Sequence, residues 1–170
     1  QQNIFGGYLA TPAREEYSPA RALRVDWFQS EIQTQLAVVQ GTGDDRYWLP
    51  LPGDVSWSAS SPRTPISGCI RNDEVPVQRL SGNTIPPLWT ARGAVQWVAE
   101  LLEAQTHGAS VRLLVRPCRG KQAGKEQDMI HSVLELYISR LRWREIEAMP
   151  GECLLLEIGP EAIHRFAGSS

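Results

Sequence analysis

The sequence predicts an α+β fold: a mostly antiparallel sheet with about three helices packed on it. Three observations lead there. Ala94, Val95, Val98, Leu101 and Leu102 recur at three- and four-residue steps, the stripe of an amphipathic helix over 91–106. Val111, Leu113 and Val115 then alternate with Arg112, Leu114 and Arg116, the period of a strand that Pro117 ends. Between residues 50 and 87, prolines and glycines cut the chain into strand-length pieces. The alternative is an OB-like β-barrel with a helix before its last two strands, reached if 129–144 is a strand rather than a helix.

In chain order, residues 1–17 read as an irregular N-terminal arm, because Gly6-Gly7 and Pro12 interrupt any period, and residues 18–170 as one α+β domain. Ser18-Pro19 is a helix start, with Leu23, Trp27, Phe28 and Ile32 carrying that helix to about Thr34. Leu36–Gln40 and Arg46–Leu49 flank the turn formers Gly41–Asp45, which predicts a hairpin. Short strands follow at Val55–Ser58, Ile66–Arg71 and Val75–Leu80, and Ser56–Thr64 reads as a mobile loop. Thr90 caps the central helix and Gly108 stops it, since a left-handed residue is cheapest as glycine.

Cys118–Asp128 is a polar loop. Over 129–148, Ile130, Val133, Leu134, Tyr137, Ile138 and Leu141 fit a helix face capped by Asp128, and the helical reading is preferred. Leu134, Leu136 and Ile138 also alternate as a strand would. Pro150-Gly151 turns the chain into a final strand with Leu154, Leu156 and Ile158. A short helical tail with Ile163 and Phe166 ends it.

A chain of 170 residues, 42% apolar and 21% charged, can bury a sizeable core. Its net charge of −2 excludes polyanion binding by overall charge alone. The basic residues are uneven, however: residues 110–145 hold eight Lys or Arg against four acids, and residues 1–90 hold seven against nine. An anionic partner would therefore meet the C-terminal half. No apolar run approaches the roughly 20 residues of a membrane span, and the three cysteines form no CxxC pair. An intracellular setting, cytoplasmic or nuclear, is the expectation. The start at Gln1 suggests an excised domain or a processed product.

No catalytic constellation is visible. His107, His131 and His164 share no metal-ligand spacing, so neither a metal nor a cofactor is expected. Neither GTGDD nor RGKQAGK has the order of a phosphate loop. Cys69 and Cys118 each have arginine neighbours that favour a thiolate, which keeps open a thiol-dependent enzyme using one of them.

The leading expectation is a non-catalytic binding or assembly module of a larger protein, contacting a protein partner through exposed aromatic and arginine residues. The residues expected to carry it are Arg112, Arg116, Arg119, Lys121, Lys125, Arg140, Arg142, Arg144, Tyr137, Trp143 and Trp57. The same 112–144 segment could track the backbone of single-stranded nucleic acid while Tyr137 or Trp143 stacks on bases.

Overall fold

The computed structural model describes residues 3–10, 22–30, 39–40, 47–51, 65–80, 89–118 and 133–166. They form two antiparallel sheets around a shared core. The first sheet contains β1 (Asn3–Ala10), β2 (Ala22–Ser30), β3 (Val39–Gln40), β4 (Tyr47–Pro50), β5 (Pro65–Ile70) and β11 (Ile163–Arg165). Its order is β11-β5-β1-β2-β3, with β4 also on β2. The second contains β6 (Val77–Arg79), β7 (Val95–His107), β8 (Ser110–Cys118), β9 (Leu134–Ser139) and β10 (Cys153–Ile158), in the order β6-β10-β7-β8-β9. Among the described residues one α-helix, α1 (Arg140–Ile146), and one 3-10 turn (Pro160–Ala162) complete the chain.

Three helices on one sheet are thus not what forms. Residues 3–10, expected to be irregular, are a strand in the interior of the first sheet, with β2 on one side and β5 on the other. The expected helix after Ser18-Pro19 is β2, and the expected central helix over 91–106 is β7. In β7 the buried residues Val95, Trp97, Ala99 and Leu101 alternate on the core face, while Val98 is buried on the opposite face, so the helix-like stripe joins residues from both faces of one strand. Leu102 is an extra residue in the register with β8, and beyond that bulge Ala104 packs on the core. In β2 the register with β1 jumps from Val25 to Trp27, a second irregularity. Gly7, at that irregularity, has no room for a side chain: a Cβ there would lie 1.9 Å from the Arg24 carbonyl oxygen.

Gly108 is not a helix stop. With φ +58 it opens a two-residue turn between His107 and Ser110, where a left-handed first residue matches the twist of the hairpin strands. Residues 129–148 divide. Leu134 and Leu136 face the core from β9, and Ser139 then caps α1 by accepting from the Arg142 amide at 3.1 Å. Trp143 and Ile146, one turn apart, set that helix on the core. Strands β3 and β4 both pair with β2, one after the other along the same edge, rather than forming a hairpin with each other. The expected strands near 66–71 and 75–80 are β5 and β6, and the final strand is β10. The helical tail is the 3-10 turn followed by β11. Val55–Ser58 and the loop Ser56–Thr64 lie outside the described residues.

The two sheets meet at Asn3, which is 2% exposed. Its side-chain amide behaves like a strand residue toward the free edge of β9. Oδ1 accepts from the Glu135 amide at 2.9 Å, and Nδ2 donates to the Glu135 carbonyl at 2.8 Å. Nδ2 also lies 3.4 Å from the Ile70 carbonyl at the end of β5. Two residues further along the same edge, the Tyr137 amide donates to the Asn72 carbonyl at 2.7 Å. On another side, the Trp97 indole donates to the Trp48 carbonyl at 3.2 Å, joining β7 to β4.

Replacing Asn3 with Ala leaves the Glu135 amide and carbonyl buried and unpaired, which should cost about 3 kcal/mol in urea unfolding. Asn3→Asp should be at least as damaging, because it sets a carboxylate against two carbonyls. Gly7→Ala should cost about 2 kcal/mol by overpacking against β2. Wild-type midpoints for all three variants would contradict this account of how the sheets are held.

Candidate functional site

On β8, Val111, Leu113 and Val115 point into the core, so Arg112, Leu114 and Arg116 share the opposite face, as the alternation predicts. On β9 the same face carries Glu135 and Tyr137, and the register sets Tyr137 opposite Arg112. These residues form a connected charge cluster. Arg112 Nη2 lies 3.3 Å from Glu135 Oε2, and the Tyr137 side chain is hydrogen-bonded to Glu135.

Glu135 is 2% exposed, so its carboxylate is out of water and needs these partners. The hydrogen bond to Glu135 holds the Tyr137 phenol above its ordinary pKa, with burial adding to the effect; Arg112 pulls the other way. Arg116, at the far end of the same strand face, is different. Its Nε is buried and has no hydrogen-bond partner among the described residues.

The other expected arginines lie on α1, at the opposite end of β8. Arg140 Nη1 is 3.4 Å from the Gly108 carbonyl, beside the β7–β8 turn. Arg142 donates to the Val77 carbonyl at 3.0 Å and pairs with Glu145 at 2.9 Å, so it is committed to structure. Trp143 is partly buried against the core and is not an exposed anchor. Arg140 and Arg144 are exposed, and neither has a carboxylate partner among the described residues. The large hydrophobic residues that are exposed, among those described, are Leu141 (72%) and Met149 (66%), on α1 and just beyond it. Sequence periodicity hides both: it sets Leu141 on the apolar face of a helix over 129–148, and nothing in the pattern marks Met149.

The expected basic segment is therefore two places: a sheet face with Arg112, Arg116 and Tyr137, and a helix with Arg140, Arg142, Arg144 and Trp143. Arg119, Lys121, Lys125 and Trp57 lie outside the described residues, as does the side chain of Cys118. Cys69 is 4% exposed on β5, and burial raises its thiol pKa more than Arg71 lowers it. That environment opposes a reactive thiolate. Among the described residues, no cluster of three His, Cys, Asp or Glu side chains could hold a metal. No described helix is long and apolar enough to cross a membrane.

No protein-family model and no curated protein sequence matches this chain. A solved structure does resemble it: the cytoplasmic molybdate-binding protein ModG, crystallised with molybdate bound. The TM-score is 0.52 at 11% sequence identity, covering 96% of this chain and 94% of that one. The likeness is one of fold. It places this chain with mostly-β, OB-like barrel proteins and overturns the three-helix α+β expectation.

Cys69 should react with iodoacetamide slowly at neutral pH and much faster in denaturant; rapid labelling of the folded protein at that position would restore the thiol-enzyme reading. Tyr137→Phe should cost about 1 kcal/mol by removing a hydrogen bond to a buried charge. Because the folded phenol pKa is raised, its contribution is complete below the ordinary tyrosine pKa of about 10 and is lost as pH climbs through the folded value. Denaturation followed from pH 8 to 11 should show a smaller alkaline loss in the Phe variant.

Proposed function

We propose that this chain is a non-catalytic binding module that docks a protein partner on the outer side of α1. One observation carries this reading. Leu141 and Met149, the large exposed hydrophobics among the described residues, lie on one short stretch with Arg140 and Arg144, whose guanidinium groups have no carboxylate partner among those residues. An apolar anchor flanked by unpaired cations suits a partner surface with an apolar pocket and an acidic rim. The buried thiol of Cys69 and the mutually satisfied Arg112–Glu135–Tyr137 cluster are consistent with a module that does no chemistry.

A second reading is a small oxyanion ligand, favoured by the unpartnered, buried Nε of Arg116 and by the molybdate held by a protein of similar fold. The single-stranded nucleic-acid reading keeps Arg116, Arg140 and Arg144, but Arg112 and Arg142 are engaged within the fold and its rings have lost support. Tyr137 is bonded to Glu135, and Trp143 packs on the core.

A photo-crosslinking residue placed at 141 or 149 in cells of the source organism should capture a discrete protein adduct. The same residue at exposed position 161 should not, and Arg140→Glu with Arg144→Glu should abolish the capture. Equal labelling at all three positions counts against the docking surface. Calorimetric binding of molybdate that Arg116→Ala abolishes would move the conclusion to the oxyanion.

A further inference from the structure

Strand β7 outruns its neighbour on one side. β10 pairs with it only from Val95 to Glu100, and the Gly151 amide and Glu152 carbonyl bond Leu101. From Glu103 to His107 the strand continues, held by β8 alone, as one edge of a projecting hairpin. Glu103, Gln105, Thr106 and His107 are exposed, and no hydrogen bond in the described structure uses the outer edge of this segment.

The direction of the edge groups follows from the turn. In a two-residue hairpin the flanking pair, His107 and Ser110, exchanges both hydrogen bonds. Counting back along β7, Gln105 and Glu103 also face β8, so the amides and carbonyls of Ala104 and Thr106 point away from it. Two consecutive outward-pointing residues on an exposed strand form a template for another strand.

We propose that this edge pairs with the same edge of a second copy of the chain, antiparallel and centred on Gln105. The segment Glu103–His107 (EAQTH) is self-complementary in that register and in no neighbouring one. Ala104 then exchanges hydrogen bonds with Thr106 of the second copy, and the reverse, giving four in all. Gln105 faces its own counterpart. Glu103 faces His107 of the second copy in a non-hydrogen-bonded pair, the arrangement that brings side chains closest, so each carboxylate can accept from an imidazole N–H.

A shift of the two-fold centre by one residue toward the N-terminus brings Leu101 into the interface, where Gly151 and Glu152 already occupy its edge. A shift the other way takes Glu103 out of the pairing. Charged residues on an edge normally discourage pairing. Here opposite partners sit at equal distances from Gln105, so pairing with a second copy satisfies both, whereas a strand of unrelated sequence leaves them unmatched. A five-residue edge falls below the roughly 1,000 Å² of a stable interface, so the association is weak and concentration-dependent.

Sedimentation velocity over micromolar to millimolar protein tests this. The wild type should shift from monomer to dimer. Thr106→Pro removes an outward amide that β8 does not use, and should leave a monomer with an unchanged unfolding midpoint. Glu103→Lys removes the acceptor for the imidazole and His107→Glu opposes two carboxylates, so each should weaken the dimer by roughly ten-fold, and the two together should restore it. Both positions are exposed, so these variants test the register even if the proline variant does not fold. A wild type that stays monomeric throughout, a dimer indifferent to Thr106→Pro, or a double variant no tighter than the singles would overturn the proposal.

Discussion

The structure depends on closing the free edge of β9, and Asn3 is the residue that closes it. The second sheet ends at that strand, and Glu135 near its start has both its backbone groups and its carboxylate out of water. An unpaired backbone group in that position costs as much as a lost hydrogen bond or more. A side-chain amide carries one donor and one acceptor at the spacing of a peptide unit, so one asparagine can stand in for a strand residue. Because Asn3 begins β1, which lies inside the first sheet, the clasp also sets how the two sheets meet.

The same residue, Glu135, organises the charges on the outer face. Its carboxylate engages Arg112 and Tyr137, which replace the polar partners it loses on leaving water. This divides the arginines by role. Arg112 and Arg142 are structural, tied to Glu135 and to Glu145 with the Val77 carbonyl, whereas Arg116, Arg140 and Arg144 have no carboxylate partner among the described residues. Counting basic residues along the segment treats all five alike. The distinction matters for function, since an arginine already paired inside its own fold has less to offer a partner.

The candidate site was partly legible in the sequence. Alternation along β8 correctly put Arg112 and Arg116 on one face, because a strand with a packed side must turn its polar residues the other way. What linear spacing could not supply was the partner of each group. Glu135 looked like one more charge in a basic segment, and Trp143 like an anchor between two arginines, until β9 and α1 set the first under Arg112 and the second on the core. Leu141 and Met149 became visible as surface only once the helix proved to begin at Arg140.

By itself the sequence determined the strands whose apolar residues keep an unbroken period of two, β8 and β10, and the left-handed glycine at 108, because those signals need only a residue and its near neighbours. It could not separate a helix from a strand at β2 and β7, since apolar residues on both faces of one strand, such as Val95, Val98 and Leu101 in β7, fall at helical steps. Only the tertiary structure decided between them. A strand is fixed by its partners, and those of β7, for example, are drawn from positions 110–118 and 153–158 of the chain.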